Sequence, residues 1–97
     1  MPKPKKAARG KHRWIAFRVD RSMQREHLQI LLEENLREVE WRLFDVEGLS
    51  KSTIAILKTP LADYPETLSI MNKNERFETI TSSGKIRLVR ERIKSNS

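Results

Sequence analysis

The segment Arg-Trp-Ile-Ala-Phe-Arg-Val, residues 13–19, decides how the fold of this chain begins. Its aromatic and β-branched side chains favour a β-strand. The next residues, Asp20-Arg21-Ser22, are of types that commonly precede a helix. Apolar residues then recur at three- and four-residue spacing, which predicts a helix over about 23–37 with one apolar face. The members of that face are Leu28, Leu31, Leu32, Leu36 and Val39.

Two further strands and a short helix are predicted in the middle of the chain. Residues 39–46 are predicted to form a strand, because Val39, Trp41 and Leu43 alternate with Glu40, Arg42 and Phe44. Residues 53–57, Thr-Ile-Ala-Ile-Leu, are nearly all apolar, which is typical of a strand at the centre of a sheet. Pro65 favours the first turn of a helix, which we expect to run to Met71.

The last part of the chain predicts a fourth strand over 76–81, a turn over 82–84 and a final helix over 85–94. The core-facing residues of this helix are Ile86, Val89 and Ile93. The order is therefore β-α-β-β-α-β followed by a helix. It indicates an α+β domain over residues 13–97, a ferredoxin-like or RRM-like (RNA-recognition-motif-like) four-stranded antiparallel sheet with helices on one face and an extra C-terminal helix.

The basic residues are concentrated at the two ends of the chain. Lys and Arg number 20, Asp and Glu number 13, and the formal net charge is +7. Residues 1–18 carry seven bases and no acid, whereas residues 19–83 carry eight bases and twelve acids. Residues 84–97 carry five bases and one acid. Such asymmetry favours a polyanionic partner, and we expect structured RNA.

A basic arm precedes the predicted domain. Residues 1–12 contain Pro2, Pro4 and Gly10 and almost no large apolar side chains, so we expect them to form a flexible arm. A solvated tail without a partner is the alternative. The cations expected to bind RNA phosphates in this part of the chain are Lys3, Lys5, Lys6, Arg9, Lys11 and Arg13.

A second phosphate-binding surface is predicted at the start of the C-terminal helix. Ser83, Gly84 and Lys85 stand where backbone N–H groups and the positive end of the helix dipole attract anions. This segment is not a P-loop, because Thr79 stands where that motif requires Gly and Ile86 where it requires Ser or Thr. A nucleotide site is therefore not predicted.

The C-terminal helix itself carries cations on both sides of its apolar stripe. On a helical wheel Arg87 and Lys94 flank one side. Lys85 and Arg92 flank the other side, and Arg90 lies at the margin. This pattern fits a helix that lies along an RNA groove or between two phosphate strands; a solvated basic helix is the alternative.

Catalytic and metal-ligating patterns are not found in the sequence. His12 lies in the arm and His27 on the outer side of the first helix, so neither belongs to a metal or triad set. The adjacent acids Glu33 and Glu34 are expected to be solvated or to face a partner. The chain has no cysteine, which excludes disulfides and thiolate metal sites. We expect no catalysis by the polypeptide, no cofactor, no metal and no small-molecule substrate.

The hydropathy of the chain argues against a membrane protein. No apolar run is long enough to span a bilayer. The basic start leads into no apolar stretch of the length that a signal peptide needs. We therefore expect a cytoplasmic protein with no membrane partner.

The aromatic residues do not match the signature with which an RRM stacks and reads bases. We expect them to be divided between the core and a protein interface, and RNA to be recognised by its backbone and shape. The residues concerned are Trp14, Phe17, Trp41, Phe44 and Phe77. Ile30 and Leu88 are apolar residues on otherwise polar helix faces, and we expect them to contact other protein subunits of the same particle.

Three segments together resemble ribonuclease P protein component 2, the small RRM-like subunit of archaeal and eukaryotic ribonuclease P. Residues 13–19 resemble the opening strand of that family, which follows a basic, proline-containing leader. Residues 41–45, Trp-Arg-Leu-Phe-Asp, are similar to its second strand. Residues 79–87, Thr-Ile-Thr-Ser-Ser-Gly-Lys-Ile-Arg, are similar to its last strand, Ser-Gly turn and basic helix. The chain resembles a divergent member, since it is shorter than usual and Pro65 truncates its second helix.

The resemblance implies a subunit of an RNA-based enzyme that matures the 5′ ends of precursor tRNA. In that family the RNA carries the chemistry, while this subunit pairs with a larger protein subunit and shapes the RNA. Two alternatives stay open. One is a structural protein of another RNA particle, such as the archaeal ribosome. The other is a ferredoxin-like regulatory domain that binds a small molecule and would not need the basic arm.

Overall fold

A computed structural model describes residues 11–95 of the chain. These residues form four strands and three α-helices in the predicted order, which confirms the α+β, ferredoxin-like fold with an extra C-terminal helix. A 3-10 turn, Leu61–Asp63, joins the third strand to the second helix. The elements are β1 (His12–Val19), α1 (Arg25–Asn35), β2 (Arg42–Gly48), β3 (Thr53–Pro60), α2 (Tyr64–Lys73), β4 (Phe77–Ser83) and α3 (Ile86–Ser95).

The four strands form one antiparallel sheet in the order β2-β3-β1-β4. The strand predicted to be central, β3, lies between β2 and β1. Its pairing with β1 runs from His12 opposite Pro60 to Val19 opposite Thr53. The sheet therefore has β2 and β4 at its edges, and the start of β1 lies at the same end as the end of β4.

The main core lies between one face of the sheet and the helices α1 and α2. Ile15, Phe17 and Val19 alternate along β1 and are fully buried on this face. The apolar stripe predicted for the first helix packs against them, with Leu28 and Leu32 fully buried. The predicted α1 face is thereby confirmed.

A second, smaller core lies on the opposite face, beneath α3. Ala16 of β1, Ile56 of β3 and Val89 of α3 are buried there. Two helices thus pack on one face and α3 on the other, whereas the sequence predicted the helices of the double β-α-β unit on one face and gave no side for α3. The physical reason is that β1 and β3 are apolar on both faces, so each face needs a cover. The half-buried residues around this core are Trp14, Ile80, Ile86 and Ile93.

The start of β2 differs from the prediction. The strand begins at Arg42 rather than at 39, because the backbone of Glu40 is bonded to side chains. The Glu40 N–H donates to Oδ2 of Asp63 at 3.0 Å, and the Glu40 carbonyl accepts from the Thr59 hydroxyl at 2.8 Å. Val39 is nevertheless buried, so its predicted contribution to the core holds.

The end of α1 also differs from the prediction. The helix ends at Asn35, two residues before the expected Arg37. Nδ2 of Asn35 donates to the Leu31 carbonyl at 2.7 Å, and Oδ1 of Asn35 accepts from Asn74 at 2.9 Å. Asn35 therefore ties the end of α1 to the segment after α2. In residues 11–95, no helix is long and apolar enough to cross a membrane.

Truncation of Val89 should show how much α3 depends on the second core. Val89 is 0% exposed, so we expect Val89→Ala to lower the free energy of unfolding by ~2 kcal/mol through lost burial and a cavity. Leu88→Ala, at a neighbouring residue that is 37% exposed, should cost only ~0.5 kcal/mol. Urea unfolding curves measure both. Equal losses in the two variants would show that α3 does not bury Val89 against the sheet.

Candidate nucleic-acid interface

The end of the sheet at which β1 begins also holds the turn from β4 into α3. Trp14 pairs with Ser83, which places Arg13 beside Gly84 in that turn. A Cβ on Gly84 would lie 3.0 Å from Nη1 of Arg13, so the guanidinium occupies space that glycine leaves open. The Arg13 Cζ also lies 5.7 Å from the centroid of the Tyr64 ring, a cation–π distance. These contacts hold Arg13 against the turn.

A second arginine reaches the same edge of the sheet from α3. Nη1 of Arg92 donates to Oγ1 of Thr81 at 3.0 Å and to the carbonyl of Ser82 at 3.1 Å. The exposed Lys85 stands seven residues earlier and therefore on the same flank of α3. We refer to Arg13, Lys85 and Arg92 as the junction cluster, since all three stand where β1, β4 and α3 meet.

The junction cluster is not neutralised by protein carboxylates. In the part of the chain that the structure describes, the ion pairs are Arg18–Glu78 and Arg90–Asp45, and neither includes a cluster member. The two hydrogen bonds of Arg92 use one of its nitrogens, which leaves further donors of the guanidinium for other acceptors. The arrangement therefore offers phosphate oxygens three cations around the end of β4, with Arg13 on the α2 side of the sheet and Lys85 and Arg92 on the α3 side.

One backbone N–H that was predicted to face an anion at the start of α3 is already hydrogen-bonded within the chain. Oγ of Ser83 accepts from the Lys85 N–H at 3.2 Å. This N–H, which the sequence suggested could face an anion, is thus bonded within the chain, as is common at helix starts. The group of Lys85 that is directed to solvent for a phosphate is its ammonium.

The other flank of α3 faces β2 and is less suited to phosphate. Nε and Nη2 of Arg90 donate to the two carboxylate oxygens of Asp45 at 2.7 and 3.0 Å. This bidentate ion pair clamps α3 to β2, and its hydrogen bond and charge raise the pKa of Arg90 above its ordinary value. Lys94 borders the same crevice as Asp45 and Glu47, and Arg87 is exposed. Two carboxylates on this flank leave the β4 flank as the better phosphate surface.

The two exposed apolar residues predicted to contact other subunits lie on opposite sides of the molecule. Ile30 of α1 is 53% exposed and Leu88 of α3 is 37% exposed. Because α1 and α3 pack on opposite faces of the sheet, the two residues cannot belong to one patch. They remain two separate candidate protein contacts.

The predicted arm is described only at its last two residues. The carbonyl of Lys11 accepts from the Leu61 N–H at 3.0 Å, and His12 lies within β1 and is half-buried. Strand β1 thus includes His12, the last residue of the predicted arm. The remaining cations predicted for the arm lie outside the described residues; they are Lys3, Lys5, Lys6 and Arg9.

The aromatic residues are divided as follows. Phe17 and Phe77 are buried and meet edge to face at 5.8 Å in the main core. Trp41 is half-buried and its Nε1–H donates to the Leu36 carbonyl at 3.0 Å. The prediction of core positions is confirmed for Phe17 and Phe77.

Sequence reasoning missed a group in which two other aromatic residues meet two cations. We refer to Trp14, Phe44, Lys58 and Arg42 as the aromatic cluster. The two rings lie 4.7 Å apart in an edge arrangement, and both cations stand over a ring. The signal in the sequence was the alternation of Arg42 and Phe44 along one strand, but only the strand register brings them to Trp14 and Lys58.

Neither a search for metal-binding groups nor comparison with known proteins identifies a further site in the described residues. Within residues 11–95, no group of three or more His, Asp or Glu side chains could hold a metal ion. No protein-family model, curated protein or solved structure matches the chain.

Proposed function

We propose that this chain is a non-catalytic RNA-binding protein subunit of ribonuclease P, the ribonucleoprotein that matures the 5′ ends of precursor tRNA. The observation that carries the proposal is the junction cluster. Arg13 of β1 meets Lys85 and Arg92 of the α3 segment around the end of β4, and none of the three has a carboxylate partner in the described residues. With the five cations of residues 1–11, the chain has eight positive charges available for the phosphates of one large polyanion.

The position of α3 supports recognition of the RNA backbone over base reading across the sheet. An RRM lays bases on the open face of its sheet. In this chain Val89 of α3 packs on Ala16 and Ile56 at the middle of that face. Phosphate and shape recognition at the β4 edge is compatible with this cover, because the edge is open to solvent.

Assignment to ribonuclease P is supported by where the three resembling segments lie in the fold. Residues 13–19 form most of β1, residues 41–45 contain the first four residues of β2, and residues 79–87 form the end of β4 and the start of α3. The first and last of these segments meet at the junction, where they supply Arg13 and Lys85. Two of the three resembling segments therefore supply two of the three cations of the junction cluster, and Arg92 follows the last segment by five residues.

A salt titration tests the proposal. We expect the full chain to bind a labelled transcript of ribonuclease P RNA with an affinity that falls steeply with salt, since each bound phosphate releases counterions. About six contacted phosphates would give a log–log slope of about −5. Fluorescence anisotropy between about 50 and 200 mM salt measures the slope. A flat dependence, or no binding at low salt, would contradict phosphate-led RNA binding.

A further inference from the structure

The aromatic cluster combines two half-exposed rings with two cations on one face of the sheet. Nζ of Lys58 lies 5.5 Å from the ring centroid of Trp14 and 5.8 Å from that of Phe44. Cζ of Arg42 lies 5.9 Å from the Phe44 centroid. The cluster thus presents ring surface and positive charge within one small area.

Strand register explains why these four residues share a face. Lys58 of β3 pairs with Trp14 of β1 on one side and with Arg42 of β2 on the other. Cross-strand partners point to the same face of a sheet. Trp14 also packs against the second core with Ile86, in the first turn of α3. The cluster therefore lies on the face that α3 covers, beside the start of that helix, where Arg42 and Lys58 line a surface depression.

The charge around the aromatic cluster favours an anion. Neither Lys58 nor Arg42 forms an ion pair within residues 11–95. A third cation, Arg25 of α1, lies at the β2 edge of the sheet. It donates to the carbonyls of Phe44 and Leu43 at 2.6 and 2.7 Å. Glu40 lines the adjacent depression but lies in no ion pair with these cations. Around the aromatic cluster the three cations Arg25, Arg42 and Lys58 outnumber Glu40, while Asp45, the next residue after Phe44, is paired with Arg90.

We infer that the aromatic cluster binds one unpaired nucleotide of the RNA, with its base on the Phe44 ring beside Trp14 and its phosphate at Lys58 and Arg42. This inference rests on the proposed function, which supplies the RNA. A nucleotide offers a flat π surface and an anion within one residue, and these match the rings and cations of the cluster. An acidic protein segment would match only the cations.

Continuity with the junction cluster supports an RNA occupant. Arg13 and Trp14 are neighbours in β1, so their side chains point to opposite faces of the same strand. An RNA strand bound at the junction cluster therefore needs to pass only the start of β1 to place a nucleotide at the aromatic cluster. The site would add one base contact to an interface that otherwise binds phosphates.

Short oligonucleotides with and without bases test the inference. We expect the wild-type protein to bind a six-nucleotide RNA about fivefold or more tightly than an abasic ribose-phosphate oligomer of equal length, since stacking of one base contributes at least ~1 kcal/mol. Phe44→Leu should remove most of this difference, whereas Leu49→Ala, at an exposed apolar residue near the opposite end of the sheet, should retain it. Fluorescence anisotropy of the labelled oligomers measures the affinities.

Tryptophan fluorescence provides a second readout. The chain has two tryptophans, so Trp41→Phe leaves Trp14 as the only tryptophan, which can be excited selectively over Tyr64. We expect the base-containing oligomer, but not the abasic one, to quench Trp14 emission. Lys58→Gln should weaken binding of both oligomers more than Lys51→Gln, its control in the exposed turn between β2 and β3.

The outcomes separate this inference from the proposed function. Equal affinity for the two oligomers, with ribonuclease P RNA still bound and salt-sensitive, would overturn the aromatic cluster as a nucleotide site and leave the proposed function standing. Equal quenching by a hexaglutamate peptide would assign the cluster to a protein carboxylate and also overturn it. Failure to bind any RNA would contradict both proposals.

Discussion

Simultaneous replacement of the junction cluster, Arg13→Glu, Lys85→Glu and Arg92→Glu, is expected to lower the affinity for structured RNA by about hundredfold or more at physiological salt. Each lost phosphate contact removes the release of about one counterion, and each new carboxylate repels the RNA backbone. The log–log salt slope should become shallower by about three. Anisotropy titrations with the ribonuclease P transcript measure the affinity and the slope.

The matched control carries the same change of charge at the other end of the sheet. Lys51, Lys73 and Arg76 are exposed and lie near the turn between β2 and β3 or the segment between α2 and β4. Their joint replacement by glutamate should lower the affinity several-fold at most, through the net charge alone. If this control weakens binding as much as the junction variant, the RNA responds to overall charge and has no defined contact at the junction.

Phe17→Ala is expected to cause the largest loss of stability among single substitutions, ~4 kcal/mol. Phe17 is 0% exposed in the middle of β1 and meets Phe77 edge to face. Its removal leaves a cavity between the sheet and the helices α1 and α2, which the surrounding side chains cannot fill. A domain of this size has a total stability of roughly 5–15 kcal/mol, so a large fraction is lost.

Urea unfolding monitored by circular dichroism measures this loss. Leu61→Ala serves as the control. Leu61 is 39% exposed in the 3-10 turn, so its truncation should lower the free energy of unfolding by only ~0.5 kcal/mol. A loss below ~1.5 kcal/mol for Phe17→Ala would show that β1 is not the central support of the main core.

Local patterns in the sequence were sufficient for the elements and for the main core. The leucine spacing of α1 identified Leu28 and Leu32 as buried, and the apolar run in β3 identified a central strand. These signals work because the period of apolar residues directly reflects which side of a helix or strand is buried. The start of α3 was also predicted, since a Ser-Gly turn ends one element and begins the next.

The position of α3 could not be predicted in the same way. The stripe around Val89 shows that one face of the helix is buried, but it does not say against which face of the sheet. The side is decided by Ala16 and Ile56, which make the second face of the sheet apolar. Element boundaries at Glu40 and Asn35 likewise depend on hydrogen bonds to residues that are distant in sequence.

The cations of the candidate interface could be predicted one by one, but their arrangement in space could not. Charge patterning identified Arg13, Lys85 and Arg92 individually, because cations on a helix flank or in a basic segment are visible in the sequence. Their meeting at one edge depends on the pairing of β1 with β4. The clamp between Arg90 and Asp45 and the aromatic cluster were missed, because both require strand register and helix placement.

Purification of the tagged full chain from native cells at low salt, with sequencing of whatever RNA accompanies it, tests the central proposal most directly. We expect one structured RNA to copurify, to dissociate at high salt, and to form a particle that cleaves precursor tRNA at its 5′ end, while the chain alone cleaves nothing. Copurification of ribosomal RNA instead would contradict the assignment to ribonuclease P. A native preparation free of RNA, or cleavage of precursor tRNA by the chain alone, would contradict the proposal of a non-catalytic RNA-binding subunit.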